Sequence, residues 1–143
     1  MIFEATIQFR ATAENSERDK LVRSSYIIDG TDVFLDVEVL LFNDFGSYDD
    51  FQVESIKKSK IKEIANERVN EDDKLFLAEL ADIFVEDNGN EKELRYKIAL
   101  FAKDIERAHS FVREFIKQGY NMQLRGIKQT KFLDVIHLNN NIK

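Results

Sequence analysis

Apolar residues alternate with polar ones at the start of the chain. Phe3, Ala5, Ile7 and Phe9 are interleaved with Glu4, Thr6, Gln8 and Arg10, the period of a strand with one buried face. A second strand is predicted over Leu21 to Ile28, after a looser turn spanning Thr12 to Lys20. From about Leu75 to Val85 the pattern is again that of a strand. The turn Glu86-Asp87-Asn88-Gly89-Asn90-Glu91 then leads into a strand over Leu94 to Leu100, its Asn-Gly pair suited to the positive φ of a hairpin.

The period then changes. Ile105, Ala108, Phe111, Val112, Phe115 and Ile116 recur at helical spacing, with Asp104 placed to cap and Gly119 to terminate. Val33 to Phe42 reads locally as a strand, because Leu35, Val37, Val39 and Leu41 alternate. Its place in the order of elements, with Asp32 as a cap, makes it the first helix. Closing strands are predicted over Phe51 to Lys60 and over Asn121 to Ile136.

An internal repeat explains this order. Ile56-Lys57-Lys58-Ser59-Lys60-Ile61-Lys62-Glu63-Ile64 aligns without a gap on Ile127-Lys128-Gln129-Thr130-Lys131-Phe132-Leu133-Asp134-Val135, sharing Ile-Lys-x-Ser/Thr-Lys-apolar-x-acid-β-branched. Phe3-Glu4-Ala5-Thr6-Ile7 likewise matches Phe76-Leu77-Ala78-Glu79-Leu80. The fold expected is α+β: two tandem ββαβ repeats with pseudo-two-fold symmetry, about six mostly antiparallel strands, and one helix per repeat packed on the sheet. A single domain of 143 residues would contain repeat one at 1–65, a polar linker at 66–73, repeat two at 74–138 and a frayed tail at 139–143. Halves this small are expected to share a core.

The double unit, with Tyr26-Ile27-Ile28-Asp29 leading into the first helix and the closing Ile-Lys-x-Ser/Thr-Lys strands, resembles a family of small duplicated proteins from gut Bacteroidales and their crAss-like phages. The resemblance covers nearly the whole chain, although the first helix is unusually apolar and the unit starts lack Trp. It implies no established activity. Its phage members suggest a role in handling single-stranded DNA.

Composition narrows the chemistry. There is no Cys, so disulfides, thiol catalysis and the usual structural zinc sites are excluded. Only His109 and His137 are present, and two separated histidines make a poor metal site. The five glycines, at positions 30, 46, 89, 119 and 126, form no phosphate loop, and no Gly-x-Ser-x-Gly elbow exists. The pairs Asp49-Asp50 and Glu86-Asp87 and the run Glu71-Asp72-Asp73 fall at expected turns and read as solvated loops. No nucleophile, base and electrophile can be named in roles, so no enzyme and no cofactor are expected. With no apolar run near the roughly 20 residues of a membrane span and no signal pattern, a cytoplasmic protein without membrane partners is expected.

The net charge is −6, unevenly spread: residues 1–73 hold nine Lys/Arg against seventeen Asp/Glu, and 74–143 hold twelve against ten. Lys57 and Lys60 recur as Lys128 and Lys131, with Arg125 beside the second pair. Such strips could meet the phosphates of a single strand while Tyr26 and Tyr96, at similar places on the second strand of each hairpin, stack with bases. The same lysines could instead guard an edge strand or form a solvated face. The expected activity is non-enzymatic nucleic-acid binding that prefers single-stranded DNA, through Lys57, Lys60, Arg125, Lys128, Lys131, Tyr26 and Tyr96. The alternative is an interaction or oligomerising accessory module, docking on a host or phage replication protein or pairing as a homodimer.

Overall fold

A computed structural model describes residues 1–12, 19–118 and 122–138. The turn expected within 12–20, the terminator Gly119 and the tail at 139–143 therefore fall wholly or largely outside the described residues. The fold is α+β with two helices and two mostly antiparallel sheets of four strands.

In the first sheet β1 (Ile2–Thr12) pairs antiparallel with β2 (Asp19–Asp29) along its whole length, Phe3 opposite Ile28 and Ala5 opposite Tyr26. Helix α1 (Phe34–Phe45) follows, and β3 (Asp49–Lys58) returns antiparallel to the other edge of β1. After β4 (Ile61–Ile64), the second sheet repeats the pattern with β5 (Lys74–Val85), β6 (Glu91–Ala102), α2 (Ile105–Ile116) and β7 (Met122–Gln129). Last comes β8 (Asp134–His137). The sheet orders are β3-β1-β2-β8 and β4-β6-β5-β7.

The closing strand predicted over Phe51 to Lys60 is β3, with β4 a separate strand after it, whereas the one predicted over Asn121 to Ile136 is two strands, β7 and β8; in each half the two belong to different sheets. The amide of Ser59 donates to the Ile2 carbonyl at 2.7 Å, extending the β3 ladder by one step, and that of Thr130 does the same to Leu75 at 2.9 Å. Past these residues the chain leaves its sheet. β4 runs parallel to β6 in the second sheet, and β8 runs parallel to β2 in the first. The repeated Ile-Lys-x-Ser/Thr-Lys motif marks this departure. Ile56 lies opposite Ala5 and Ile127 opposite Ala78, so the matched segments occupy corresponding places.

The compact units consequently differ from the halves expected at 1–65 and 74–138. One comprises residues 1–59 and 132–143, the other residues 60–131. Residues 66–73 are part of the second unit rather than a linker. Asn66 donates its side-chain amide to the Phe101 carbonyl at 2.9 Å and accepts the Phe101 N–H at 2.7 Å, and the Arg68 guanidinium lies 4.7 Å from the Phe101 ring centroid. A polar side chain that completes a ladder in this way fixes its segment to the sheet, which composition alone does not reveal.

Each unit has its own core cluster. Phe3, Ala5, Ile7, Phe9 and Ile28 pack with Val37 and Leu41 of α1; Phe76, Ala78, Leu80, Ile98 and Leu100 pack with Ala108 and Val112 of α2. Each set is the inward face of a strand pair meeting the inward positions of a helix.

α1 is a helix, as the element order predicted against the local alternation. Asp32 does not cap it: its carboxylate pairs with the Met1 amino group at 2.9 Å, which holds that carboxyl below its usual range. Val33 occupies the N-cap position without a side-chain bond, and Thr31 Oγ1 accepts the Val33 N–H at 3.0 Å while donating to Asp36 at 2.8 Å. Asp104 does cap α2, accepting the Arg107 N–H at 2.8 Å, and this bond lowers its carboxyl pKa. In the β5–β6 turn Gly89 adopts φ +84, as a hairpin turn requires.

Candidate anion-binding face

Alternation along β5 points Phe76, Ala78 and Leu80 toward α2, and therefore Leu77 and Glu79 to the opposite face. On that face Lys97 of β6 stands opposite Glu79, Gly126 of β7 stands opposite Glu79 on the other side, and Lys128 stands opposite Leu77. Together with Ile127 these residues line a depression of ≈ 240 Å³. A Cβ built on Gly126 would meet nothing within 4 Å, so the bare backbone there leaves open space beside Lys128, with Glu79 between it and Lys97.

The neighbouring charges are coupled. β7 shifts register between Glu79 and Leu80, so Arg125 is the extra residue of a bulge. Its side chain reaches across β5 to β6, where Nε and Nη2 each lie 2.5 Å from Glu93 Oε1. Arg95 lies 3.5 Å from Glu93 and 3.6 Å from Glu79. The hydrogen bond from Arg125 is the main cause holding the Glu93 carboxyl below its usual value, with Arg95 adding to it. Lys97, Lys128, Arg95 and Arg125 thus share this face with Glu79, Glu93 and, at the far end of β6, Glu91, an excess of one positive charge. Over its whole sequence the unit at 60–131 balances fourteen Lys/Arg with fourteen Asp/Glu, so the excess is local.

The first sheet lacks this arrangement at the matching places. Lys57 is opposite Glu4 and lies 3.9 Å from its carboxylate, where Lys128 is opposite Leu77. Thr6 and Ser25 share a hydrogen bond of 2.9 Å where Glu79 and Lys97 stand in the second sheet. The β3 bulge carries Glu54, paired with Arg23 at 2.5 Å, so the bulge ion pair has its polarity reversed.

The residues expected to bind phosphates are therefore divided. Lys128 and Arg125 lie on the face just described. Lys57 sits in the first unit with its ion pair, whereas Lys60 and Lys131, both exposed, are the first and last residues of the second unit, where the chain enters and leaves it. The two tyrosines pack inward. Tyr26 lies against the first core with Phe45 at 5.2 Å between ring centroids, and burial raises its pKa. Tyr96 lies against the second core, with Lys62 Nζ 4.5 Å from its ring centroid, and burial raises its pKa too. They are not equivalent: the residue matching Tyr26 in register is Ile98, since Ala78 is opposite Ile98 as Ala5 is opposite Tyr26.

Arg95 and Lys97 were missed. Their signal was present, because the alternation Leu94-Arg95-Tyr96-Lys97-Ile98 places both on the face away from the core. Elsewhere His137 Nδ1 lies 3.4 Å from Asp29, a surface pairing at the end of β8. Among the described residues no helix is long and apolar enough to cross a membrane, which says nothing of crossing by strands.

These elements define an α+β protein built from two four-stranded sheets, each finished by a parallel strand from the other half of the sequence. The chain belongs to the DUF4494 family, a domain of unknown function whose model matches residues 1–138. No curated protein and no solved structure matches it.

Proposed function

We propose that the protein binds nucleic acid without catalysis, preferring single strands, through the face of its second sheet that turns away from α2. The observation that carries this reading is that Lys97 and Lys128 both line the depression over Gly126, where they outnumber the single carboxylate Glu79. A flexible strand can lower one phosphate into such a concavity, while the backbone of a duplex is held on a rigid convex cylinder. Arg95 and Arg125 can exchange their exposed carboxylate partners for further phosphates, because exposed ion pairs are worth little, about 0–1 kcal/mol. Lys60 and Lys131 are the cations that would extend the track.

With Tyr26 and Tyr96 packed inward, affinity in this reading comes from phosphates rather than base stacking. Little sequence preference and strong salt dependence follow. In the phage or mobile-element setting that the sequence resemblance suggests, the ligand would be DNA exposed during replication.

The test is fluorescence anisotropy with a labelled single-stranded oligonucleotide and its duplex, from low to physiological salt. Micromolar binding that weakens with salt, favours the single strand and is lost in Lys97→Glu/Lys128→Glu is expected. No binding at micromolar protein in low salt, or unchanged binding by that variant, overturns it.

A further inference from the structure

Helices α1 and α2 present the same positions inward and opposite chemistry outward. Val37 and Leu41 of α1 are buried, as Ala108 and Val112 are in α2 at the same steps from the helix start. The outward positions of α2 are then Glu106, Ser110 and Arg113, all exposed and polar. The corresponding residues of α1 are Leu35, Val39 and Phe42, which are 63%, 50% and 67% exposed. Spaced at i, i+4 and i+7, they form one continuous outward stripe. Within one protein, α2 shows how such a helix meets water, and α1 does not follow it.

The charge on the helix itself is of one sign, whereas Asp29, Asp32, Asp50 and Glu54 nearby in sequence are paired with His137, the Met1 amino group, Arg10 and Arg23. From residue 24 to residue 56 there are eight Asp/Glu and no Lys, Arg or His. Of these, Asp36, Glu38 and Asp44 lie on α1 itself. Sequence counts for residues 1–59 and 132–143 are seven Lys/Arg against thirteen Asp/Glu, so this unit carries the whole net charge of −6.

The geometry points to α1 as the docking site for a cationic amphipathic segment of a partner protein, whose apolar side covers Leu35, Val39 and Phe42 while its Lys or Arg flanks meet Asp36, Glu38 and Asp44. Charge complementarity selects this occupant. A symmetric contact with a second copy would bring identical carboxylates together. An anionic lipid surface would be repelled by the same groups. The inference stands apart from nucleic-acid binding, which uses the other unit.

The probe is a helical Leu/Lys amphipathic peptide titrated into the full ¹⁵N-labelled protein, with a Leu/Glu peptide of the same pattern as control. Backbone amide shifts confined to α1 and its flanks, no response to the Leu/Glu peptide, and affinity reduced about tenfold or more in Leu35→Ser/Phe42→Ser are expected, since truncating a central aromatic anchor typically has that effect. Those side chains are exposed, so the variant should fold; Glu38→Lys/Asp44→Lys gives an independent loss through charge. Shifts centred on α2, equal binding of both peptides, or undiminished binding by both variants overturn the inference. So does a concentration-dependent dimer that Phe42→Ser abolishes, which would make a second copy the occupant.

Discussion

Val135 lies in parallel register beside Ile27, a fully buried residue, although most of the chain separates them in sequence. The first sheet is therefore completed by a strand from the end of the sequence, and the second by β4 from before its own hairpin. Cutting the chain between the sequence halves leaves each fragment with a strand whose partners are on the other. Fragment 1–65 alone is expected to give a poorly dispersed amide spectrum, and mixing with fragment 66–143 to restore dispersion. A well-dispersed spectrum from 1–65 alone would show that β8 is dispensable.

Gly30 and Gly89 both have positive φ, +110 and +84, but only one is crowded. A Cβ on Gly30 would lie 2.5 Å from the Leu138 carbonyl oxygen, beside the bond from the Leu138 amide to Asp29 that ends the β2–β8 ladder. At Gly89 nothing lies within 4 Å. Both alanine variants bear conformational strain, but Gly30→Ala must also displace backbone. Thermal unfolding should show the larger loss for Gly30→Ala, with hydrogen exchange quickened along β8; equal losses would contradict this.

Arg125 sets the titration of Glu93. A carboxyl depressed in the folded state contributes stability that is present above its unfolded pKa and lost as pH falls through its folded pKa. Arg125→Ala is expected to raise the Glu93 pKa toward the ordinary glutamate range, followed by carboxyl ¹³C chemical shifts, and to flatten the acid-side fall in stability. An unmoved Glu93 titration would assign the depression to Arg95.

Adjacent residues on α1 should behave oppositely. Leu41 is fully buried, and Leu41→Ala is expected to lower unfolding free energy in urea by about 2–5 kcal/mol. Phe42 is 67% exposed with its ring edge-on to Phe51 at 6.0 Å, and Phe42→Ser should cost no more than about 1.5 kcal/mol. Comparable losses at the two positions would mean that the outward stripe is already covered within the molecule.

The elements themselves were legible because period and order are local properties. Phe3 to Phe9 and Ile105 to Ile116 declare a strand and a helix within a few residues. The helix at α1 needed the order of elements to overrule its alternation, since an apolar outer face hides helical period. The crossings at Ser59 and Thr130 were not legible: a strand that continues straight and one that ends and enters another sheet have the same alternation. The lysine motif was visible, and its recurrence follows from this shared exit as well as from any ligand. Likewise the identity of a partner strand decides whether a lysine is neutralised. Glu4 beside Lys57 and Leu77 beside Lys128 are a matter of pairing, absent from either strand read alone.

The exchange of β4 and β8 also sets the timing of folding on the ribosome. β1, β2, α1 and β3 emerge first, yet their sheet stays one strand short until the 130s have been synthesised and released from the exit tunnel. The second sheet, holding β4 through β7 in sequence order, can close earlier. The sheet begun first is thus completed after the sheet begun second.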